Sequence, residues 1–427
     1  MRSSSIYLLA AACSLLLQSC AAQCSEEEAS CKTGSRYILK DGKKALELVQ
    51  VIVVHRHGDR TPITKSAGSF VQTEELKSIW SSKINGHESV RRWGVSNRDD
   101  TGTYITHNIS SSSSWPFGQL TKRGAAQMRR VGAELRERYV GDLNFLPVDL
   151  PADHSEEKFF IYVRSTRYPR TVQSVQNLLL GLYPEDTRLE ESGAAGVITI
   201  ESQEKALDHM TGLSDKRCPR VRSLLSQIDT TVKPQESHVR LLDELAVRIN
   251  HTDSQQDKMV IDVWIHLADV CHCHRSHGMD VPFGLTPNEI DSLMDYNTWM
   301  WSTRMNTPEL SKLAIGGFLQ DILRELKATV AGTPRAKLLV FSGHDSTLFP
   351  LLKALDAFDE KWPPYASRVQ LELLREVETG TFYVRLLYNN QLRHMLGSSD
   401  EFLPIELFFS KLAGMESANI HEECHRQ

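Results

Sequence analysis

Residues 46–54, Leu-Glu-Leu-Val-Gln-Val-Ile-Val-Val, form an aliphatic, β-branched run that breaks off at His55-Arg56-His57-Gly58-Asp59-Arg60-Thr61-Pro62. Such a run predicts a strand buried inside a parallel sheet, since strands covered on both faces lose the polar alternation of half-exposed ones. The pattern then recurs. Phe159 to Val163 leads into Arg164-Ser165-Thr166-Arg167, and a helix is predicted from near Pro169, with Val172, Val175, Leu178, Leu179 and Leu182 at helical spacing. Lys337 to Phe341 leads into Ser342-Gly343-His344-Asp345-Ser346-Thr347, with an apolar helix expected from near Leu348.

Open α/β sheets bind ligands outside the carboxyl ends of their strands, so three strands ending in charged residues can converge on one pocket. Arg56, Arg60 and Arg164 would bring three permanent charges whose forked donors match phosphate oxygens. His57 and His344 add imidazoles, and Asp345 adds an acid. A neutral imidazole can attack phosphorus and become a phosphohistidine, while arginines stabilise the equatorial oxygens and keep the ring unprotonated. Asp345, if protonated, can donate to the leaving ester oxygen and later accept a proton from water, which predicts activity at low pH. This chemistry calls for no metal or other cofactor.

The 427 residues carry 49 Lys and Arg against 54 Asp and Glu, a formal charge of −5. No global field would hold nucleic acid, so any anion site has to be local. Arg2, the apolar stretch Ile6 to Leu17 and the small residues Ser19, Ala21 and Ala22 read as a secretory signal peptide over residues 1–23, and no later run is long enough to span a bilayer. Six further cysteines, Cys24, Cys31, Cys218, Cys271, Cys273 and Cys424, are expected to form disulfides, with the pairing open. Asn108 and Asn250 head glycosylation sequons. The string Cys271-His272-Cys273-His274-Arg275-Ser276-His277 is metal-like, but its cysteines lack the usual zinc spacing, and a disulfide with surface histidines is preferred. Whether this string binds metal stays open.

On Arg56-His57-Gly58-Asp59-Arg60-Thr61-Pro62, Arg164-Ser165-Thr166 and His344-Asp345, the chain resembles the histidine acid phosphatases, branch 2 of the histidine phosphatase superfamily. Gly118 to Gln127 resembles the family's first helix, with Thr121 as its N-cap, and Arg170-Thr171 and Tyr183-Pro184 also fit. The resemblance implies a three-layer α/β/α core like that of phosphoglycerate mutase, formed by residues 44–200 and 333–427, with a mainly helical cap over 201–332. It implies His57 as phosphorylated nucleophile, Arg56, Arg60, Arg164 and His344 as phosphate ligands, and Asp345 as proton donor. It further implies a secreted or lysosomal-type acid phosphatase acting on phosphate monoesters, a phytase-like or sugar- or lipid-phosphate-specific member being the alternative. Relatives of this kind are often dimers, which makes a homodimer an expectation by analogy. One departure is Arg167, where acid phosphatases often carry Asp.

Candidate cap helices lie around Val239 to Ile249, Pro287 to Met300 and Pro308 to Leu326, and Ser81 to Trp115 reads as a long loop at the pocket mouth. Two rival functions remain: a phosphomutase, disfavoured by the export signal, and a non-catalytic anion-binding module, which would need neither His57 nor Asp345.

Overall fold

Strand β1, Ala45–Arg56, runs through the middle of a mixed sheet because almost every side chain along its second half is buried. The computed structural model describes residues 30–33, 36–39, 45–67, 70–85, 95–98, 104–106, 116–150, 160–184, 187, 198–205, 207–211, 218–249, 260–417 and 419–425. The signal segment, Cys24 and both sequon asparagines lie outside them. Strand β2, Ile161–Ser165, and strand β3, Leu338–Gly343, complete the parallel centre, in the spatial order β1, β3, β2. Strand β4, Arg368–Glu376, pairs antiparallel with the other side of β1. Val54 of β1 lies opposite Phe341 of β3, which lies opposite Arg164 of β2.

Side-chain alternation turns this sheet into the middle of three layers. Val51, Val53, Val163 and Val340 face helices α1, Lys122–Arg136, and α2, Pro169–Leu182. Thr121 caps α1 by accepting from the Gly124 backbone N–H, and Pro169 opens α2 where a missing N–H costs nothing. The two helices cross at Gly132 and Gly181, where a Cβ would lie 1.9 Å from the Leu178 carbonyl oxygen and 2.0 Å from that of Arg129. Ile52, Val54, Leu339 and Phe341 point to the opposite face and pack against two other helices. Those are Pro308–Val330 and Asp345–Ala354, designated α5 and α6 once α3, Val260–Ser276, and α4, Pro287–Met305, are counted.

Helices α3 and α4, with the helix Glu236–Arg248, bury Leu245, Trp264, Leu267, Leu293 and Tyr296 in a separate cluster. The predicted helices at 239–249, 287–300 and 308–326 are all present: the first spans Glu236–Arg248, and the other two run on to Met305 and Val330. The expectation of a long loop from Ser81 to Trp115 is corrected in part. Residues 81–83 finish the helix Glu74–Lys83, and Val95–Arg98 and Tyr104–Thr106 are strands at one end of the main sheet. These strands carry few apolar residues, so no hydrophobic run announced them.

Candidate active site

Gly58 lets the nucleophile loop close against α1, since a Cβ there would lie 2.3 Å from the Gly124 carbonyl oxygen. Behind it, Asp59 accepts from Thr121 Oγ1 at 2.6 Å, Ser276 Oγ at 3.0 Å and His277 Nε2 at 2.7 Å. Burial would raise the Asp59 pKa, but these hydrogen bonds and the His277 charge outweigh it and hold the carboxyl below its usual range. The loop is thus fastened to both α1 and α3.

His57 is buried, and its Nδ1 donates to the Gly58 carbonyl at 2.8 Å. A carbonyl can only accept, so the proton is on Nδ1 and Nε2 carries the lone pair. Burial first, then Arg170, Arg56, His344 and Arg60, push its pKa well below 6.5. The neutral ring is therefore the stable form even in mild acid. His344 stands with its ring centroid 5.5 Å away, bonded through Nε2 to Thr166 Oγ1 at 2.9 Å and through Nδ1 to Arg170 at 3.3 Å.

Arg56 pairs with Asp345 at 2.7 Å, and Arg60 pairs with Asp269 of α3 at 2.8 Å. The Arg56 guanidinium also lies 4.2 Å from the centre of the Tyr365 ring. Arg170, in the first turn of α2, lies with these groups, and among the described residues it has no carboxylate partner. Burial and repulsion from Arg60 lower its pKa to about 10. Among the described residues, the Nε atoms of Arg56, Arg60 and Arg170, like that of Arg164, are buried with no acceptor. Buried donors and an unneutralised guanidinium mark a seat for an anion.

Arg164 is the exception among the predicted ligands. Its guanidinium donates to Asp321 at 2.8 Å, Gln203 at 2.6 Å and Asp208 at 3.1 Å, and it lines a different cavity with Tyr162, Glu201 and Arg324. The reason is strand parity. Arg164 is in register with Phe341 and Val54, whose side chains belong to the face covered by α5 and α6. The third pocket arginine is Arg170, which belongs to the family resemblance but has no phosphate role among the residues expected from the sequence.

Asp345 opens α6, accepting from its Ser346 backbone N–H at 2.8 Å and from Trp362 Nε1 at 3.2 Å. Burial raises its pKa, but Arg56, then Arg60 and His344, outweigh this and hold it at about 2. The ion pair with Arg56 thus favours the carboxylate form of Asp345.

The reading of Cys271 to His277 is also corrected. The string lies at the end of α3, where Cys271 and Cys273 are buried free thiols. In a helix, residues two apart point to different sides and cannot be bridged. His274 is buried rather than on the surface, and His277 supports Asp59. Among the described residues, Cys218 and Cys424 form a disulfide. Arg167 pairs with Glu204. Asp269, Tyr365 and Trp362 escaped the sequence reading; only the rigid Trp362-Pro363-Pro364-Tyr365 string hinted at a shaped loop.

Fold and pocket together define an α/β protein with a histidine poised beside an arginine-lined anion seat. Comparison with known proteins narrows this further. The family model of the histidine phosphatase superfamily (branch 2) matches residues 47–389. The chain is 29% identical to counting factor 60 of Dictyostelium discoideum, over 89% of this chain and 88% of that one. It is 25% identical to prostatic acid phosphatase of Bos taurus, over 90% of each. The apo phytase of Hafnia alvei shares the fold, with a TM-score of 0.58 at 16% identity over 90% of this chain and 99% of that one. The chain belongs to the histidine phosphatase superfamily, branch 2, and is a phosphatase.

Proposed function

We propose that this chain is an acid phosphatase that hydrolyses phosphate monoesters through a phosphohistidine on His57. The observation that carries the proposal is the fixed tautomer of His57: Nδ1 is spent on the Gly58 carbonyl, so the Nε2 lone pair is the nucleophile. Arg56, Arg60, Arg170 and His344 hold the phosphoryl oxygens. They also disperse the charge that develops on them, which is the main demand of phosphoryl transfer.

In the first step, Nε2 of His57 bonds to phosphorus and the ester P–O bond breaks. The electron pair leaves on the alcohol oxygen, which takes a proton from Asp345. A bound dianion neutralises part of the field of Arg56 and Arg60 and raises Asp345 from about 2. Below a second phosphate pKa of about 6, the substrate monoanion brings the required proton into the site. Acid preference follows from that delivery. In the second step, water gives its proton to the Asp345 carboxylate, attacks phosphorus and releases neutral His57.

Residues 201–332 act as the cap, although α5 within them also lies on the sheet. The Cys218–Cys424 disulfide favours an oxidising compartment on the secretory route, extracellular or lysosomal. The Arg167–Glu204 pair fits a structural role for Arg167. Substitution His57→Ala is expected to abolish phosphate release from ethyl phosphate at pH 5 or so. Asp345→Ala should lower it by about 10²-fold or more, with a much smaller loss on an activated aryl phosphate. Normal turnover of ethyl phosphate by either variant would refute the proposal.

A further inference from the structure

We propose that the alcohol released by this enzyme is apolar, so that its preferred substrates are single phosphate monoesters carrying an alkyl or aryl group of several carbons. The inference rests on the phosphatase reading above and deepens it. A cavity of about 320 Å³ opens beside the anion seat, with Arg56, Arg60 and Asp345 among its lining residues. Ile265, Met294, Trp301, Met305, Phe349 and Trp362 form its walls. It exceeds twice the roughly 150 Å³ that accepts a benzene ring in an engineered apolar cavity.

The placement of Asp345 gives the cavity its role. A proton donor has to reach the oxygen that leaves, and Asp345 lines this cavity while His57, His344 and Arg170 do not. The substituent on the leaving oxygen therefore extends into the cavity, and the nucleophile lies on the far side of phosphorus. Trp362 joins the two functions, donating to Asp345 while its ring stacks on Phe349 at 5.3 Å.

Charge excludes the opposite substrate class. Among the described residues, Arg56 and Arg60 are the only Lys or Arg in the lining, and both already face carboxylates. His272, also in the lining, is kept neutral by burial and by Arg56, with a pKa near 4. A second or third phosphate on the substrate would be desolvated there without a cation, at a cost that single esters avoid.

The test is a series of ethyl, butyl, hexyl and octyl phosphates below their micellar concentrations, with 2-phenylethyl phosphate as the ring-bearing arm. Their alcohols are similarly poor leaving groups, so differences report binding. Expected is a rise in kcat/KM of about two- to fourfold per added methylene until the cavity is filled. Met294→Asp or Ala314→Leu, both in the cavity lining, should flatten the series, with a loss on octyl phosphate far larger than any on ethyl phosphate. Inositol hexakisphosphate should inhibit no better than inorganic phosphate. A flat or falling series, or tight inhibition by the hexakisphosphate, would overturn the inference while leaving the phosphatase reading intact. Failure to release phosphate from any ester, ethyl phosphate included, would overturn both.

Discussion

Arg164 and Arg170 are neighbours in the chain that serve opposite faces of one sheet. Arg164 is still inside β2 and obeys its alternation, so it meets Asp208 and Asp321. Arg170 sits in the first turn of α2, beyond the strand, where the chain has turned over the carboxyl end of the sheet toward His344. The sequence made the cluster legible as residue types after strands, but it did not give the strand's last residue, which decides the side. Arg170→Ala is expected to lower kcat/KM by about 10²- to 10³-fold, the usual loss for a donor to the transferring group. Arg164→Ala should leave kcat/KM within about threefold. It should cost about 3 kcal/mol in stability, because Asp208 and Asp321 lose their buried partner. Steady-state kinetics and urea unfolding of both variants decide the matter. A large kinetic loss in Arg164→Ala with unchanged stability would restore the sequence-based assignment.

Elements with one dominant signal were readable. Strands β1 to β3 announce themselves by apolar runs, and α4 and α5 by a Thr-Pro start followed by periodic apolar residues. Helix α3 was missed because it has two buried sides. Trp264, Leu267 and Cys271 face the cluster shared with α4, while Asp269 meets Arg60 and Cys273 packs near Trp80 and Phe117, so no clean polar stripe remains. Its histidines and cysteines then drew a metal-like reading. Disulfide pairing was likewise beyond the sequence, being set by where the last helix, Ile420–Cys424, packs. That helix lies against the helix Pro219–Thr231, bringing Cys218 to Cys424 across 206 residues. Closing so long a loop predicts that Cys218→Ser with Cys424→Ser loses about 4–5 kcal/mol. Equilibrium unfolding with and without the pair measures this. A loss below about 1 kcal/mol would mean that packing alone holds the helix.

At the scale of the whole molecule, an acidic chain handles an anion by concentrating positive charge in one buried place and keeping the nearby imidazoles neutral. Burial is the largest cause lowering the pKa of His55, His57, His272 and His344 alike. In the unfolded chain these rings take protons near 6.5, whereas in the folded chain they do so only at lower pH. Their contribution to stability is therefore complete above about 6.5 and is lost as pH falls. His55 alone, at about 4 when folded, accounts for up to about 3 kcal/mol across that interval. Asp345 and Asp321, both held at about 2, add a second loss below their unfolded value of 3.8. Denaturation midpoints measured from pH 8 to 3 should fall in these two stages, and a constant midpoint down to pH 4 would contradict the neutral-histidine account. The central claim remains chemical: phosphorus passes through His57. Rapid mixing of the Asp345→Asn variant with an activated aryl phosphate, followed by an alkaline quench, should trap acid-labile, alkali-stable phosphate approaching one equivalent per chain. Peptide mapping should place it on His57, and His57→Ala in the same background should trap none. Turnover of the aryl ester with no trapped phosphate, or phosphate on another residue, would contradict the account.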